Sequence, residues 1–191
     1  MSFSNLRVLR VAAGLAVLSA FAVLPIAAQA AESNLEGTLS GGALSNTAPT
    51  ITPFAATLSG VTQTITTKVG AWEVTDATGS NAGYSVTVAA TAPTVGGSAA
   101  GAGTGSSVTF TPATATAAAG NPAAAGPVAT TAQTLSPTAA TIENAPAASG
   151  QGGWDFAADG AGKSLAVVIP GNASAGAYTS TLTFTTAPPA A

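Results

Sequence analysis

Large apolar and polar residues alternate along two stretches of this chain, and turn-forming residues interrupt each alternation once. Side chains on a strand point alternately to its two faces, so residues of one parity share a face. The first stretch therefore predicts two strands, each with one face that must be buried. Its large apolar positions are Trp72, Val74, Tyr84, Val86 and Val88.

The segment between these two arms is rich in residues that reverse the chain. Asp76 and Asn81 offer side chains that bond to nearby backbone, while Gly79 and Gly83 adopt positive φ angles without strain. We therefore expect the two arms to form a β-hairpin.

The second alternation lies near the C-terminus. Its first arm ends at Pro170, the turn spans 171–176, and threonines occupy the opposite face of the second arm. The pattern predicts a second hairpin. Its large apolar positions are Leu165, Val167, Ile169, Tyr178, Leu182 and Phe184.

Together these stretches resemble the WxL domain family of Gram-positive bacterial surface proteins, especially the short single-domain members of high-GC species. Residues 72–88 are similar to the family's proximal motif and residues 168–184 to its distal motif. The family's named form has Leu two residues after Trp in both motifs. At the same spacing, the proximal motif here has Trp72 and Val74, and the distal motif has Phe184 and Thr186. The resemblance implies a β domain that binds peptidoglycan non-covalently, with residues of both motifs as candidate contacts.

The rest of the mature chain favours further strands and gives no helix signal. Segments 38–44, 51–58, 62–69, 108–111 and 139–143 are strand candidates, whereas 95–107 and 113–133 are predicted to be long Ala/Thr/Gly-rich loops. We expect an all-β fold, an antiparallel β-sandwich of about seven to nine short strands, forming a single domain over residues 31–191.

The first thirty residues have the features of a secretory signal peptide. Arg7 and Arg10 precede an apolar run over 11–24, and the small residues 28–30 suit cleavage before Ala31. A retained membrane helix is the alternative, but the run ends at Pro25, short of the roughly 20 residues that span a bilayer. The mature protein is predicted to be secreted, to remain at the cell wall or surface, and not to insert into the membrane.

The net charge of the chain limits the classes of molecule that it can bind. Without the leader, Lys68 and Lys163 stand against seven acidic residues, a net charge of −5. Nucleic acid and anionic lipid need clustered cations, so neither is expected as a partner. Cysteine is absent, so no disulfide supports the fold.

The absence of His and Cys also removes most catalytic chemistry. Neither a Ser-His-Asp relay nor a thiol nucleophile nor a zinc site is available. Carboxylate pairs, either Asp155 with Asp159 or Glu73 with Asp76, leave glycoside hydrolysis as a remote alternative. Calcium needs only oxygen ligands, but no Asp-x-Asp-x-Asp series is present. The prediction is a non-enzyme without metal or cofactor.

The aromatic residues are the remaining candidates for ligand contact. Rings in alternating strands usually fill a core, which favours a core role for Trp72, Tyr178 and Phe184. Trp154 follows the glycine-rich segment 150–153 and is predicted to lie in a loop, where a core role and sugar stacking are equally open. The candidate binding residues are Trp72, Val74, Tyr84, Trp154, Tyr178 and Phe184.

Two functions follow from these observations. The first, which the resemblance to the WxL family implies, is non-covalent attachment to the cell wall, with peptidoglycan or an associated polymer as partner and other surface proteins as further candidates. The second is a structural subunit of a surface layer or fibre, because long threonine-rich edges with few charges are poorly protected against strand pairing.

Overall fold

The protein was analysed as a computed structural model, which describes residues 35–121, 125–158 and 165–189. The predicted leader lies outside these residues. The chain divides into two units, 1–38 and 39–191. Within the first unit, residues 35–38 have no regular secondary structure. No helix in the described part of the chain has the length and apolar character needed to cross a membrane.

Fourteen strands and one short 3-10 helix, Ala100–Ala102, occupy the described residues. This number exceeds the seven to nine short strands expected, because six of the fourteen have only two or three residues and carry too little sequence pattern to be recognised. In chain order they are β1 (Leu44–Asn46), β2 (Gln63–Thr67), β3 (Trp72–Asp76), β4 (Tyr84–Ala90), β5 (Thr94–Val95), β6 (Ser107–Phe110), β7 (Ala115–Ala117), β8 (Val128–Ala129), β9 (Gln133–Thr134), β10 (Ala140–Ala145), β11 (Gly152–Phe156), β12 (Leu165–Ile169), β13 (Tyr178–Thr179) and β14 (Leu182–Ala187).

The strands form three four-stranded sheets and one two-stranded sheet, all with antiparallel pairing. The orders are β1-β3-β11-β7, β14-β4-β10-β8, β2-β12-β6-β9 and β13-β5. The all-β antiparallel prediction is confirmed. The inward faces of the three larger sheets contribute to one apolar cluster.

Both predicted hairpins are wrong. β3 pairs with β1 and β11, whereas β4 pairs with β10 and β14. β12 pairs with β2 and β6, whereas β14 pairs with β4. The alternating arms are strands as predicted, but each turn carries the chain from one sheet to another. Packing sheets across a shared interior covers the apolar faces of both arms, which edge-to-edge pairing alone would not.

The loop predictions also need correction. Residues 113–133, expected to be a loop, contain β7, β8 and the first residue of β9. Of 51–58, expected to be a strand, only Ile51 forms a bridge, with Val69. Trp154 lies within a strand and not in a loop. The preceding Gly150 and Gly152 have φ angles of 76° and 81°, so they turn the chain just before β11 and at its first residue.

Candidate functional site

An open pocket of about 900 Å³ interrupts the core beside β2, β12 and β6. Its floor, as we use the term here, consists of Val108, Leu165, Val167 and Ile169. These residues alternate along β6 and β12 and are no more than 5% exposed. Alternation thus supplies the apolar floor, and the surrounding walls cover these four residues almost completely.

One wall of the pocket is the segment 48–58, which we name the strap. The amide of Thr52 donates to the Lys68 carbonyl at 3.0 Å. Beyond this point, residues 53–58 make no backbone–backbone hydrogen bond to any described residue. Pro53 has no amide to donate, which hinders continued pairing with β2. The Gln63 side chain instead tethers the strap by donating to the Thr57 carbonyl at 2.8 Å.

The opposite wall runs from Ala173 to Phe184 and carries two half-buried rings. Tyr178 meets Phe54 of the strap edge to face, with ring centroids 5.4 Å apart at 64°. The Tyr178 hydroxyl lies 3.0 Å from Ser106 Oγ, which contacts the Val168 carbonyl at 3.3 Å. Burial raises the pKa of Tyr178, and its hydrogen bond with Ser106 opposes that rise. Its hydroxyl therefore remains neutral at physiological pH.

The pocket lining includes no Asp, Glu, Lys or Arg. Its polar side chains are all hydroxyl-bearing: Thr52, Thr57, Thr67, Ser174, Tyr178 and Ser180. Apolar walls with a few polar groups are typical of small-ligand sites. This lining suits an uncharged ligand that stacks on rings and bonds to hydroxyls.

The sequence-predicted site residues divide into two groups. Tyr178 and Phe184 line the pocket. The other four are buried, with exposed fractions of 5% for Trp72, 0% for Val74, 0% for Tyr84 and 4% for Trp154. These four side chains are part of the apolar core. The indole N–H of Trp154 donates to the Gln151 carbonyl at 3.0 Å.

Sequence reading missed the strap as part of this site. Its ring, Phe54, faces Tyr178 across the pocket. The prolines at 49 and 53 were the available indication, because proline disfavours regular pairing and leaves a segment irregular.

Of the two predicted carboxylate pairs, Glu73 with Asp76 does not form. Glu73 and Asp76 are three positions apart on β3 and so point to opposite faces. Asp155 lies directly across from Glu73 on the neighbouring strand, outside the pocket. Asp159 lies outside the described residues. Within the described part of the chain, no three acidic, His or Cys residues are grouped as a metal site would require.

A second unusual feature, also missed, is a buried carboxyl. A β-bulge in β10 between Thr141 and Glu143 places Ile142 and Glu143 both inward. Glu143 is fully buried, and neither carboxyl oxygen has a hydrogen-bond partner in the structure. Burial raises its pKa to about 8.

The nearby Tyr84 hydroxyl is likewise buried without a hydrogen-bond partner. Burial raises the pKa of Tyr84, and the charges of Asp76 and Glu143 raise it further. Both groups therefore stay neutral in the fold at neutral pH. A group in its neutral form is far less costly to bury than an ion.

Comparison with known families gives one match. The family model described as "WxL domain surface cell wall-binding" matches residues 41–188. No curated protein and no solved structure matches the chain significantly.

Proposed function

This chain belongs to the WxL family of surface cell-wall-binding domains, since the match spans most of it, and we propose that it is a secreted, non-catalytic protein that binds peptidoglycan non-covalently in the open pocket. The observation that carries this proposal is the pocket beside β12, with Tyr178 and Phe184 in its wall. It joins an apolar floor to half-buried rings of the distal motif.

The absence of charge in the lining indicates which part of the wall is bound. Binding a phosphate-rich polymer needs Lys or Arg near the phosphates. The lining has neither, and the mature chain is acidic overall. We therefore propose the uncharged glycan strands of peptidoglycan as the ligand.

Each wall of the pocket has a role in this proposal. The Tyr178 ring stacks on a sugar face. The edge-to-face contact with Phe54 and the hydrogen bond with Ser106 fix the orientation of the Tyr178 ring. Hydroxyls of Thr52, Ser174 and Ser180 then exchange hydrogen bonds with the sugar. Because contact is made by rings and hydroxyls, binding should depend little on salt.

A sedimentation assay tests the ligand class. Protein of residues 31–191 is mixed with intact cell walls and with walls stripped of phosphate polymers by hydrofluoric acid. We expect equal sedimentation with both, unchanged between 0.05 and 0.5 M salt. Loss of binding on stripping would identify an anionic polymer as the ligand. Recovery in the supernatant with both preparations would refute wall binding by this chain.

Variants of one residue test the place of binding. Tyr178→Ala should weaken wall binding by about tenfold, because a stacking contact is typically worth about 0.5–1.5 kcal/mol beyond its buried area. Tyr178→Phe keeps the ring and should bind nearly as well as the unaltered protein. The control is Thr185→Ala, an exposed residue of β14 outside the pocket lining. If melting curves show that all three variants are folded and the three bind equally, the ligand binds elsewhere.

A further inference from the structure

We propose that the open pocket recognises the N-acetyl group of its glycan ligand and discriminates against sugars that lack this group. The inference rests on the proposed function, because it names the chemical group that the same pocket selects. The glycan strands of peptidoglycan are built from N-acetylated amino sugars, and removal of the acetyl group leaves an amine that carries a positive charge when protonated. Binding should therefore decrease when the wall glycan is de-N-acetylated.

The side chains of the pocket that solvent reaches belong to its walls and not to its floor. The floor residues are no more than 5% exposed. The walls contribute half-buried large side chains and exposed alanines, among them Ile51, Phe54, Leu182, Ala55, Ala175 and Ala177. The surface that a ligand can contact thus consists largely of alkyl groups and ring faces.

Such a surface selects the apolar part of a sugar. A pyranose ring has C–H groups on its faces and hydroxyls around its rim, and a hydroxyl that is buried against apolar walls without a partner costs free energy. The acetyl methyl is the apolar substituent of an amino sugar, so it gains from contact with the walls. Burying one methyl group strengthens binding by about fourfold.

The charge of the lining acts against the de-N-acetylated sugar. Among the described residues that line the pocket, none carries a carboxylate. An ammonium group that enters an apolar pocket without a counter-ion loses its hydration and gains no ion pair in return. The cationic sugar should therefore bind more weakly than a neutral sugar that merely lacks the acetyl group.

The amide of the acetyl group is neutral and suits the hydroxyls of the lining. Ser180 Oγ donates to the Thr91 carbonyl at 2.8 Å, so its hydrogen is already used. Ser180 therefore offers only lone pairs to a ligand and can accept from the acetamide N–H. The exposed hydroxyls of Thr52 and Ser174 can donate to the acetyl carbonyl. Both polar groups of the amide thus find partners without any charge.

Titration with three matched oligosaccharides tests this preference. The probes are tetramers of N-acetylglucosamine, glucose and glucosamine with the same β linkage. They are titrated into protein of residues 31–191 by calorimetry, in mildly acidic buffer that keeps the amine protonated. The N-acetylated tetramer should bind at least about tenfold more tightly than the glucosamine tetramer, with the glucose tetramer between them. Equal affinities for the N-acetylated and glucose tetramers would overturn the proposal, as would a preference for glucosamine.

A negative charge placed in the wall should shift the preference toward the amine. Ala175 is exposed and lines the pocket, so Ala175→Asp supplies an anion without disturbing a buried site. The variant should bind the glucosamine tetramer about threefold more tightly than the unaltered protein does, an effect that salt weakens. Ala175→Asn, which has the same size without the charge, should show no gain.

Val128→Asp controls for the change in net charge, because it adds the same charge at an exposed position outside the pocket lining. It should leave the affinity for all three tetramers unchanged. If Val128→Asp and Ala175→Asp gain affinity for glucosamine equally, the attraction is not local to the pocket and the assignment of the acetyl site to it is wrong.

Wall sedimentation separates the failure of this proposal from the failure of the preceding one. Walls treated with a peptidoglycan de-N-acetylase should retain less protein than untreated walls. Equal retention would leave wall binding intact and refute recognition of the acetyl group, and so would binding to walls without binding to any tetramer. If the protein sediments with neither kind of wall, the wall proposal fails, and the tetramer titration still decides whether the pocket selects the acetyl group.

Discussion

β3 and β12 carry the same alternation of inward and outward residues, yet their apolar faces have different surroundings. At β3, Trp72 stacks on Phe156 with ring centroids 3.9 Å apart, and Phe184 lies 5.9 Å away. At β12, the inward residues Val167 and Ile169 form the floor of an open pocket. Both inward faces are almost fully buried. Alternation therefore determines which face turns inward but not whether a pocket lies against it.

The size of the covering side chains explains the difference. Rings from neighbouring strands fill the space over β3. The walls over β12 include six alanines, at positions 48, 55, 56, 173, 175 and 177. Small side chains on segments without regular pairing leave volume that a ligand can fill. Three tests with four substitutions follow, from the largest expected effect to the smallest.

The largest effect should come from removing a ring on the closed side. Phe156→Ala deletes a fully buried ring and leaves a cavity beside Trp72. We expect a loss of about 3–5 kcal/mol in the free energy of unfolding, measured by chemical denaturation.

The matched substitution on the open side is Phe54→Ala. Phe54 is half-buried and contacts Tyr178 edge to face. Its loss should cost about 1.5–2.5 kcal/mol, the sum of about half the burial of a Phe side chain and the contact with Tyr178. Equal losses for the two variants would mean that the pocket wall is packed as tightly as the closed core.

The second test uses the buried Glu143, whose pKa is raised from its ordinary 4.5 to about 8. Between these values the folded state holds a proton that the unfolded state releases. The stability contributed by this proton is therefore fully present below about pH 4.5 and is lost as the pH rises through about 8. One proton changes the folded-to-unfolded ratio by at most about tenfold per pH unit. Glu143→Gln should flatten this dependence in melting curves recorded from pH 5 to 8.

Tyr84→Phe is the control for this effect. It removes the neighbouring buried hydroxyl but leaves the carboxyl in place, so the loss of stability with rising pH should persist. A flat profile in the unaltered protein would show that Glu143 ionises normally and that water reaches the bulge.

The smallest effect should come from the tether of the strap. Gln63→Ala removes the hydrogen bond to the Thr57 carbonyl. Because this bond is exposed, global stability should fall by only about 0.5 kcal/mol. Amide exchange should nevertheless become faster within 53–58, where no backbone pairing holds the chain.

Gln133→Ala provides the comparison, because it removes a similar exposed bond, to the Thr131 carbonyl, outside the strap. It should leave exchange in the strap unchanged. If both variants accelerate exchange there equally, Gln63 is not the tether.

Sequence reasoning succeeded where the physics is local. The arms around Trp72 and Phe184 are strands, as their alternation predicts, and the distal motif residues Tyr178 and Phe184 line the pocket. It failed where the outcome depends on distant partners. The turn over 77–83 suits a hairpin, but burial of both apolar faces assigned its arms to different sheets.

Glu143 shows the same limit at a single residue. Its position in an alternating segment gives no indication of burial, since the inward direction results from one extra residue in β10. Strand parity counts residues along one chain, whereas a bulge is defined only against the partner strand β4. Phe54 escaped prediction for a similar reason, because its role depends on Tyr178 across the pocket.

By itself, the sequence determined a β fold with alternating apolar faces, a net negative charge and the absence of thiol and imidazole chemistry, because these follow from residue type and parity. Only the tertiary structure decided which strands pair, which rings are buried and where the core stays open. Those outcomes depend on contacts between residues far apart in the chain, whose energies exist only once the sheets have packed together.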